Sequence, residues 1–356
     1  MRNKWVAVGA LAAALVVGGV IGGVIAAATS SSASGTSSGS SALSVCNVTS
    51  VANQVLPSVV TIFVTGPGGS GSGSGEIIRS DGYILTNNHV IAPAVGPGGS
   101  IDVQFSDGQT LPATLTGRDP LTDLAVIKVD ASRSLPVIAI GSSSSVQVGE
   151  AVVVLGAPLG LSDTVTSGIV SALDRTIEVP GENDKSALLV SAVQTDAAIN
   201  PGNSGGSMVN CAGQLIGVPS AGATVPSSSG ESSGGSIGLG FAIPVDLAQT
   251  ISDELIATGT VTHAFFGLQT TPVTQAATEG QVPVGLWVRA VVPGGPAAKA
   301  GLRADDVITS INGQPATSNV QLQEVTLTKR PGDTVPVEFW RNGKTAQVTV
   351  TLGTQP

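Results

Sequence analysis

The sequence predicts a mainly β protein: two antiparallel β-barrels followed by a small α+β domain. Its composition, with 47 glycines, few aromatic residues and frequent valine, favours short strands joined by tight turns. Runs rich in Val, Ile, Leu and Thr alternate with turn signals such as Ser80-Asp81-Gly82 and Asp119-Pro120, and no long helical period interrupts them. Because these runs fall into two similar sets, two barrels are expected. A length of 356 residues suits two or three domains.

A short helix over Val48 to Leu56 leads into the first set of strands. The strands of this set are predicted at Val59–Val64, Glu76–Arg79, Gly82–Thr86, Ile101–Phe105, Thr110–Arg118 and Leu124–Val129. Those of the second set are predicted at Glu150–Leu155, Thr164–Val170, Leu188–Gln194, Gln214–Val218 and Leu239–Ile243. A helix from Asp246 to Thr258 then closes the large domain, with Asp246 as its N-cap and Gly259 as its stop.

The predicted domain organisation has four parts. They are an N-terminal anchor or signal segment at 1–28, a Ser/Gly-rich linker at 29–47, the barrel domain at 48–260 and the small domain at 264–352. The small domain contains a helix-like stretch from Ala297 to Leu302 and a second predicted helix over Val320–Thr328. A Ser- and Gly-rich stretch at 227–236 predicts a mobile loop within the barrel domain.

The N-terminal segment predicts export of the rest of the chain. Arg2 and Lys4 precede an uncharged run from Trp5 to Ala28, which is long enough to span a bilayer. Ala26-Ala27-Ala28 also fits a cleavage site, so a retained single-pass anchor and a secreted, cleaved chain both stay open. In either case the positive end stays in the cytoplasm. The net charge of -9 argues against a nucleic-acid partner.

The chain has two cysteines, Cys46 and Cys211. In an oxidising compartment outside the cytoplasm, an even number of cysteines favours a single disulfide. Two unpaired thiols are the alternative.

A candidate nucleophile, Ser204, stands between glycines after a bend-forming Asn200-Pro201-Gly202. A serine hydroxyl needs a base, and the chain offers only two histidines, His89 and His263. His89 follows a predicted strand, and Asp123 opens another one, so His, Asp and Ser occur in the chain order of a two-barrel triad. His263 lies between the closing helix and the small domain, where a surface linker residue is expected.

The alternative interpretation of the serine is a nucleophile elbow, which the pattern Gly202-Asn203-Ser204-Gly205-Gly206 also satisfies. An elbow requires a helix after the serine. The sequence that follows reads instead as strand, Asn/Gly turn and strand, and a helix there would have to accommodate three glycines. The two-barrel triad is therefore favoured.

The triad interpretation gives each residue a role. Ser204 attacks the scissile carbonyl, His89 transfers the proton, and Asp123 orients the imidazole. The backbone N–H groups of Ser204 and Gly202 face the developing oxyanion, and Asn203 shapes that turn. The sequence shows neither a metal-ligand cluster nor a phosphate loop, so no cofactor or metal is expected.

Three stretches, Thr86–Val90, Asp119–Val126 and Thr195–Gly206, together resemble the HtrA (DegP/DegQ/DegS) serine proteases of bacterial envelopes. The similarity covers roughly residues 50–352, and the small domain resembles the PDZ module of that family. The motifs that carry the PDZ resemblance are Val292–Leu302, Asp305–Ile308, Ile311–Gly313 and Arg341–Lys344. The resemblance implies a chymotrypsin-like double β-barrel protease domain, which acts without ATP on unfolded or misfolded envelope proteins. It also implies a homotrimer.

The resemblance extends to binding residues. Phe265, Phe266, Gly267 and Leu268 stand at the carboxylate-binding loop of a PDZ domain, which captures C-terminal peptides as an added strand. An ordinary buried first strand, or packing of the two Phe side chains against the linker, is the alternative for these residues. Ala198, six residues before the serine, stands where trypsin-like enzymes carry an acid. With Ile199 beside it, a neutral pocket for small or medium aliphatic side chains is expected.

Two residues depart from the family pattern. Asn88 stands where an alanine is usual, and Pro201 restricts the oxyanion turn. The loops at Asn200–Ser204, Glu178–Lys185 and Pro219–Ser236 are rich in Gly, Ser and Pro, which suggests that activity is gated by loop ordering. The alternative from another functional class is a holdase or PDZ scaffold whose proteolysis is minor.

Overall fold

The structure is a computed structural model that describes residues 46–157, 164–182, 186–222, 236–274 and 282–355. The N-terminal segment at 1–28 and all but the last two residues of the linker lie outside these ranges, as does the loop at 227–236 except for Ser236. None of the helices within the described ranges is both long and apolar enough to cross a membrane.

The first barrel follows a short N-terminal helix and closes on itself. Its strands pair in the order β1-β2-β3-β6-β5-β4, and its interior is filled by aliphatic side chains such as Val60, Ile62, Ile84 and Ile127. The elements are α1 (Val48–Val55), a 3-10 turn (Leu56–Ser58), β1 (Val59–Gly66), β2 (Gly69–Ile77), β3 (Tyr83–Thr86), α2 (Asn88–Ile91), a 3-10 turn (Ala92–Ala94), β4 (Ser100–Gln104), β5 (Thr110–Asp119) and β6 (Leu124–Val129).

Strand β2 begins earlier than predicted and includes the Gly/Ser run before Glu76. The glycines of this run permit close packing that a side chain would prevent. A Cβ at Gly73 would lie 2.6 Å from the Val90 side chain, and one at Gly75 would lie 2.7 Å from the Ile84 side chain. The Gly-rich composition here therefore reflects packing inside a barrel rather than a flexible loop.

The second barrel also closes, because β11 pairs with β12 in addition to the order β11-β8-β9-β10-β13-β12. Strand β7 joins β12 in parallel. The elements are β7 (Ala139–Ile140), a 3-10 turn (Ser143–Ser145), β8 (Ala151–Gly156), β9 (Thr164–Pro180), β10 (Ser186–Thr195), β11 (Ser207–Asn210), β12 (Gln214–Gly222) and β13 (Gly240–Pro244). The mainly β fold with two barrels is confirmed. Residues 178–180 and 219–222, predicted within loops, lie in β9 and β12 because both strands extend beyond their apolar cores.

Helix α3 (Val245–Thr258) closes the large domain as expected, and Gly259 ends it with a left-handed φ of 77°. The prediction that Asp246 caps its N-terminus is wrong. Pro244 occupies the N-cap position, and the Asp246 carboxylate accepts hydrogen bonds from Ser143 N and Ser144 N at 3.2 and 3.0 Å. Asp246 thus fastens the helix to the 3-10 turn before β8.

The small domain is an α+β unit with one main sheet. The sheet has the order β15-β16-β17-β19-β20, so β15 is an edge strand. Leu286, Val288, Ile308 and Phe339 lie in its core. The elements are β14 (Ala264–Phe265), β15 (Leu268–Val273), β16 (Gly285–Val291), α4 (Pro296–Lys299), β17 (Val307–Ile311), β18 (Gln314–Pro315), α5 (Val320–Thr328), β19 (Thr334–Arg341), β20 (Lys344–Thr351) and β21 (Gly353–Thr354).

A disulfide joins Cys46 to Cys211, with their Cα atoms 5.2 Å apart. It connects the residues just before α1 to the hairpin between β11 and β12. The Gln54 side chain adds a hydrogen bond from α1 to the Ala212 carbonyl at 3.2 Å. Helix α1 is therefore fastened to the second barrel at the hairpin whose first strand follows Ser204.

The small domain contacts the second barrel through α5. Leu327 of α5 packs against Leu188 and Val190 of β10 in a shared apolar cluster. Glu324 accepts a hydrogen bond from the Thr176 hydroxyl of β9 at 3.4 Å. His263 lines a cavity at the same junction, together with Val190 and Leu327.

Candidate active site

The structure brings His89 and Asp123 together at one edge of the first barrel. His89 stands in the first turn of α2, directly after β3, and Asp123 immediately precedes β6. His89 Nδ1 lies 2.8 Å from Asp123 Oδ2. Because a carboxylate only accepts hydrogen bonds, Nδ1 carries the proton and donates it, which leaves a lone pair on Nε2. That nitrogen can therefore accept a proton from a hydroxyl in the cleft.

Asp123 is buried and its backbone is in an uncommon conformation, with φ at 58°. Its carbonyl accepts hydrogen bonds from Asn88 N at 3.1 Å and Asn87 Nδ2 at 2.9 Å. Its carboxylate accepts from His89 N at 2.9 Å and from the Ser220 hydroxyl at 2.6 Å, besides the imidazole. These bonds offset the cost of the left-handed backbone and of burying the charge.

Ser204 lies in the segment of the second barrel that connects β10 to β11, and it faces the same cleft as His89. Its hydroxyl donates a long hydrogen bond of 3.4 Å to the Ser220 carbonyl. Within the described residues no hydrogen bond joins Ser204 Oγ to His89. The backbone around Ser204 is held by the first barrel, because Ser74 N donates to the Ser204 carbonyl at 2.9 Å.

The oxyanion turn from Asn200 to Ser204 is formed as a tight bend. Asn203 N donates to the Asn200 carbonyl at 3.0 Å, and the Ser74 hydroxyl donates to the Gly202 carbonyl at 2.6 Å. Gly202 has a φ of 101°, which a side chain would disfavour. In the described part of the chain the N–H groups of Gly202 and Ser204 donate to no protein group, so both remain available to a ligand.

The cleft beside Ser204 encloses about 340 Å³ and is lined by residues of both barrels. Ile199 lines it, whereas Ala198 does not. The Ile199 side chain is buried against Gly240, where an added Cβ would lie 2.6 Å from it. The Ala198 carbonyl accepts a hydrogen bond from Thr166 Oγ1 of β9 at 2.9 Å, which fixes the backbone next to Ile199.

Asn88, one of the two residues expected to depart from the family pattern, takes part in a charged network next to His89. Its side chain donates to Glu182 at 3.0 Å, and Arg118 contacts the same Glu182 oxygen at 2.5 Å. Arg118 also reaches the Asn88 side-chain oxygen at 3.3 Å. The network ties Glu182, just after β9, to the first barrel.

Glu76 is a buried acid that sequence analysis did not single out. It is fully buried in β2, and neither carboxyl oxygen has a hydrogen-bond partner among the described residues. Ser207 lies beside it without forming a hydrogen bond of ordinary geometry. Burial therefore dominates and raises the pKa of Glu76 well above its ordinary value of 4.5, against the smaller lowering effect of the Ser207 hydroxyl.

The expectation that His263 is a surface linker residue is wrong. The side chain is buried, and its Nε2 lies 2.9 Å from Asp119 Oδ1. The residue follows α3 by only a few positions, yet the small domain and the Asp119 turn enclose it from both sides. Nothing near His263 in the sequence indicates this partner, which lies 144 residues earlier.

The residues expected to form a carboxylate-binding loop run from the last residue of β14, Phe265, to the first residue of β15, Leu268. Phe266 is buried in the core of the small domain, and Phe265 is half-buried. Gly267 has a φ of 75°, and its carbonyl accepts a hydrogen bond from Val292 N at 2.9 Å. This geometry makes a tight bend at the start of the edge strand β15.

Two supporting residues of the cleft were missed by the sequence analysis. Ser220, which hydrogen-bonds Asp123, lies 97 residues from it and inside an apolar strand. Ser74, which holds the turn of Gly202, lies in a Gly/Ser run that resembles a linker. The strand periodicity of β2 and β12 could have placed each of them on a strand, but not beside the triad.

Two parts of the chain match known domain families. Residues 73–218 match the trypsin-like peptidase domain, and residues 264–352 match the PDZ domain. Serine protease PepD of Mycobacterium tuberculosis is 44% identical over 313 residues, which are 86% of this chain and 66% of that protein. A probable periplasmic serine endoprotease DegP-like of Pseudomonas putida is 42% identical over 80% of this chain and 56% of its own length.

Solved structures of HtrA-type proteases are also similar to this chain. The HtrA-type protease AlgW with a decapeptide is 32% identical and superposes with a TM-score of 0.66, over 87% of this chain and 99% of that chain. The curated relatives are longer: this chain spans 66% of PepD and 56% of the DegP-like protein.

Proposed function

Because the chain belongs to the HtrA-type serine proteases, we propose that it is an endopeptidase that cleaves unfolded or misfolded proteins outside the cytoplasm. The observation that supports this most is the His89–Asp123 hydrogen bond of 2.8 Å in the cleft that also holds Ser204. The names of its relatives, serine protease PepD and a periplasmic DegP-like endoprotease, agree with it.

The proposed reaction is acyl transfer to Ser204. The hydroxyl attacks the scissile carbonyl while His89 Nε2 takes its proton, and the same nitrogen later gives that proton to the leaving amine. Asp123 keeps the proton on Nδ1 and stabilises the imidazolium that forms. Ser220 assists as a second donor to the Asp123 carboxylate. Water then hydrolyses the acyl-enzyme by the same sequence of transfers.

The first step requires Ser204 to change its hydrogen-bond partner. Its hydroxyl now donates to the Ser220 carbonyl across 3.4 Å, which is a weak bond. Rotation about χ1 moves Oγ between staggered positions without moving the backbone. Binding of substrate in the cleft displaces water and favours the position next to His89.

The oxyanion of the tetrahedral intermediate is proposed to bind the N–H groups of Gly202 and Ser204. Each such donor contributes on the order of 3 kcal/mol to transition-state stabilisation. Both N–H groups have no partner within the described residues, so binding an oxyanion there breaks no existing bond.

The test compares the purified protein with its Ser204→Ala variant on casein and on a serine-directed fluorophosphonate probe. The proposal requires casein cleavage and probe labelling that the variant lacks. Equal cleavage by the two proteins would overturn the assignment of Ser204. If neither protein cleaves and both suppress the aggregation of a denatured client, the holdase alternative holds instead.

For specificity, we expect small or medium aliphatic side chains at the position N-terminal to the cleaved bond. Ile199 lines the cleft with an aliphatic residue, and no acid stands at Ala198 to attract Arg or Lys. A peptide library should therefore yield Ala, Val or Leu at this position, and Ile199→Ala should extend the range to Phe. A profile dominated by Arg or Lys would contradict the pocket assignment.

The small domain is proposed to bind C-terminal peptides along β15. This strand is the edge of its sheet, so its free side can pair with an added strand, and the bend at Gly267 lies where the peptide carboxylate would end. A fluorescent peptide with a free C-terminal carboxylate should bind more tightly than its amide. Equal binding of the two would exclude carboxylate capture.

Two further properties are carried over from the family. The chain is proposed to form homotrimers, which sedimentation of the purified protein measures directly. It is also proposed to be held at the cell membrane by residues 1–28, or to be secreted if these residues are removed. N-terminal sequencing of the mature protein distinguishes the anchored form from the cleaved one.

A further inference from the structure

We propose that His263 is a positioning residue for Asp123 and acts through Asp119 from the junction between the protease and PDZ domains. The proposal rests on the proteolytic function given above. It assigns a role in the reaction to a residue that does not touch the reacting atoms. Its basis is a chain of buried contacts that starts at the small domain and ends at the triad.

The first contact is the hydrogen bond between His263 and Asp119. The atoms Nε2 and Oδ1 are 2.9 Å apart, and the two side chains are only 8% and 5% exposed. Since a carboxylate accepts only, Nε2–H is the donor. A hydrogen bond to a buried carboxylate is stronger than one between exposed neutral groups, and its removal leaves the carboxylate with fewer partners.

The second contact links Asp119 to the turn that carries Asp123. Asp119 Oδ2 accepts a hydrogen bond from the Thr122 hydroxyl at 2.5 Å, and Oδ1 accepts one from Leu121 N at 3.3 Å. The Asp119 carboxylate thus closes the turn from 119 to 123. The turn ends at Asp123, whose left-handed φ of 58° requires the surrounding bonds to hold it.

His263 is itself fixed by the small domain. Its carbonyl accepts a hydrogen bond from Gln355 N at 3.1 Å, and the next residue, Ala264, pairs with Thr354 in the β14–β21 ladder. A shift of the small domain therefore moves the imidazole relative to Asp119. A second set of contacts also connects the small domain to the turn from 119 to 123. Leu327 of the small domain packs on Leu188, and the Leu188 N–H donates a hydrogen bond to the Leu121 carbonyl at 3.1 Å.

Other charged groups face His263 across a cavity between the domains. Asp246 and Glu254 come from α3, and Lys329 and Arg330 follow α5. Glu254 is engaged elsewhere, with Thr262 N at 2.8 Å and Arg330 at 3.4 Å. Arg330 spans the same junction but does not reach the Asp119 turn, which makes Arg330→Ala a matched control.

The experiment measures kcat and KM for a short peptide substrate with the full chain and three variants. His263→Leu keeps the volume and removes the donor, whereas His263→Gln places an amide N–H near the position of Nε2. We expect His263→Leu to lower kcat about 10-fold with KM within twofold, because loss of positioning affects the transition state rather than substrate binding. His263→Gln should keep at least half of the wild-type kcat, and Arg330→Ala should match the wild type.

Asp119→Asn supplies a second, independent variant in case His263→Leu does not fold. It keeps the volume of the side chain and weakens the acceptor, so it too should lower kcat with KM unchanged. In the Asp119→Asn background, His263→Leu should add less than twofold, because the two residues act through one bond.

Four results would overturn the proposal. The first is a wild-type kcat in His263→Leu or in Asp119→Asn, and the second is an equal loss of kcat in His263→Gln and His263→Leu. The third is a double variant in which the kcat losses of His263→Leu and Asp119→Asn multiply independently. The fourth is a loss of kcat that follows the fraction of unfolded protein in thermal denaturation. If the wild type itself does not cleave peptides, the proteolytic function fails rather than the role of His263.

Discussion

Replacing Glu76 should stabilise the protein at neutral pH and remove one component of its pH dependence. Glu76 is fully buried in the first barrel, and its two carboxyl oxygens lack partners within the described residues. Glu76→Met substitutes an unbranched side chain of similar length that adapts to the existing space. Glu76→Gln keeps a polar group but cannot ionise, so the two variants separate the effect of charge from that of polarity.

The magnitude follows from the missing hydrogen bonds. A buried polar group without a partner costs about 1–3 kcal/mol relative to an apolar group of the same shape. Glu76→Met should therefore raise the free energy of unfolding by about 1–3 kcal/mol at pH 8. For domains of this size, each kcal/mol corresponds to about 2–4 °C in Tm.

The sign of the pH dependence follows from the raised pKa of Glu76 in the folded protein. At pH values well below 4.5 the acid is protonated in both states, so it contributes no pH dependence. As pH rises from there to the folded pKa, the unfolded chain loses its proton while the folded chain retains it, and stability falls. Above the folded pKa the loss stays constant. Glu76→Gln should lack this fall.

The assay is urea denaturation between pH 4 and pH 8.5, with every protein in a Ser204→Ala background to prevent self-cleavage. The difference between wild type and Glu76→Gln should grow with pH and then level off. Parallel stability curves for these two proteins would refute the assignment of a raised pKa to Glu76. A Glu76→Met protein less stable than wild type at pH 8 would refute the cost assigned to its unpaired oxygens.

Three further predictions concern residues that support the site. Ser220→Ala removes the 2.6 Å hydrogen bond to Asp123 and should lower kcat about 10- to 100-fold with KM little changed. An unaffected kcat would show that the hydrogen bonds from His89 hold the Asp123 carboxylate in place without Ser220. Asn88→Ala leaves Glu182 with one partner fewer and should lower the free energy of unfolding by about 1 kcal/mol, measured by urea denaturation, whereas an unchanged midpoint would contradict the network. Cys211→Ser removes the disulfide between two residues 165 positions apart and should lower the free energy of unfolding by about 2–5 kcal/mol. A thermal scan that does not differ from that of wild type would exclude a stabilising disulfide.

The parts of the fold that the sequence predicts well are those with a local signal. Alternating apolar runs between turn residues predicted most strands of both barrels, and Gly259 was recognised as a helix stop because a left-handed position favours glycine. The family assignment followed from short motifs around His89, Asp123 and Ser204, and it is confirmed. Each of these signals is contained in residues that are close together in the sequence.

The parts that the sequence did not predict depend on contacts between distant segments. His263 looked like a linker residue because its partner, Asp119, lies 144 residues away. Ser74 lies in a Gly/Ser run whose composition is typical of a flexible loop, and Glu76 was predicted to begin a strand with no sign that it is buried without a partner. Only closure of the barrel, which places Val90 and Ile84 against Gly73 and Gly75, buries the end of this run in a strand. The amino-acid composition of a short segment does not show whether distant strands close a barrel around it.

The geometry of the oxyanion turn confines any switch there to one peptide unit. The peptide between Gly202 and Asn203 is held at both ends, because its carbonyl accepts from Ser74 Oγ at 2.6 Å and its N–H donates to the Asn200 carbonyl at 3.0 Å. In the peptide between Pro201 and Gly202, by contrast, neither the carbonyl nor the N–H has a hydrogen-bond partner within the described residues. This unit can rotate through ψ of Pro201 and φ of Gly202 without breaking a hydrogen bond, although the proline ring fixes φ of Pro201. Since the N–H of Gly202 belongs to the rotating unit, the rotation would turn this proposed oxyanion donor towards or away from the cleft and leave Ser204 in place.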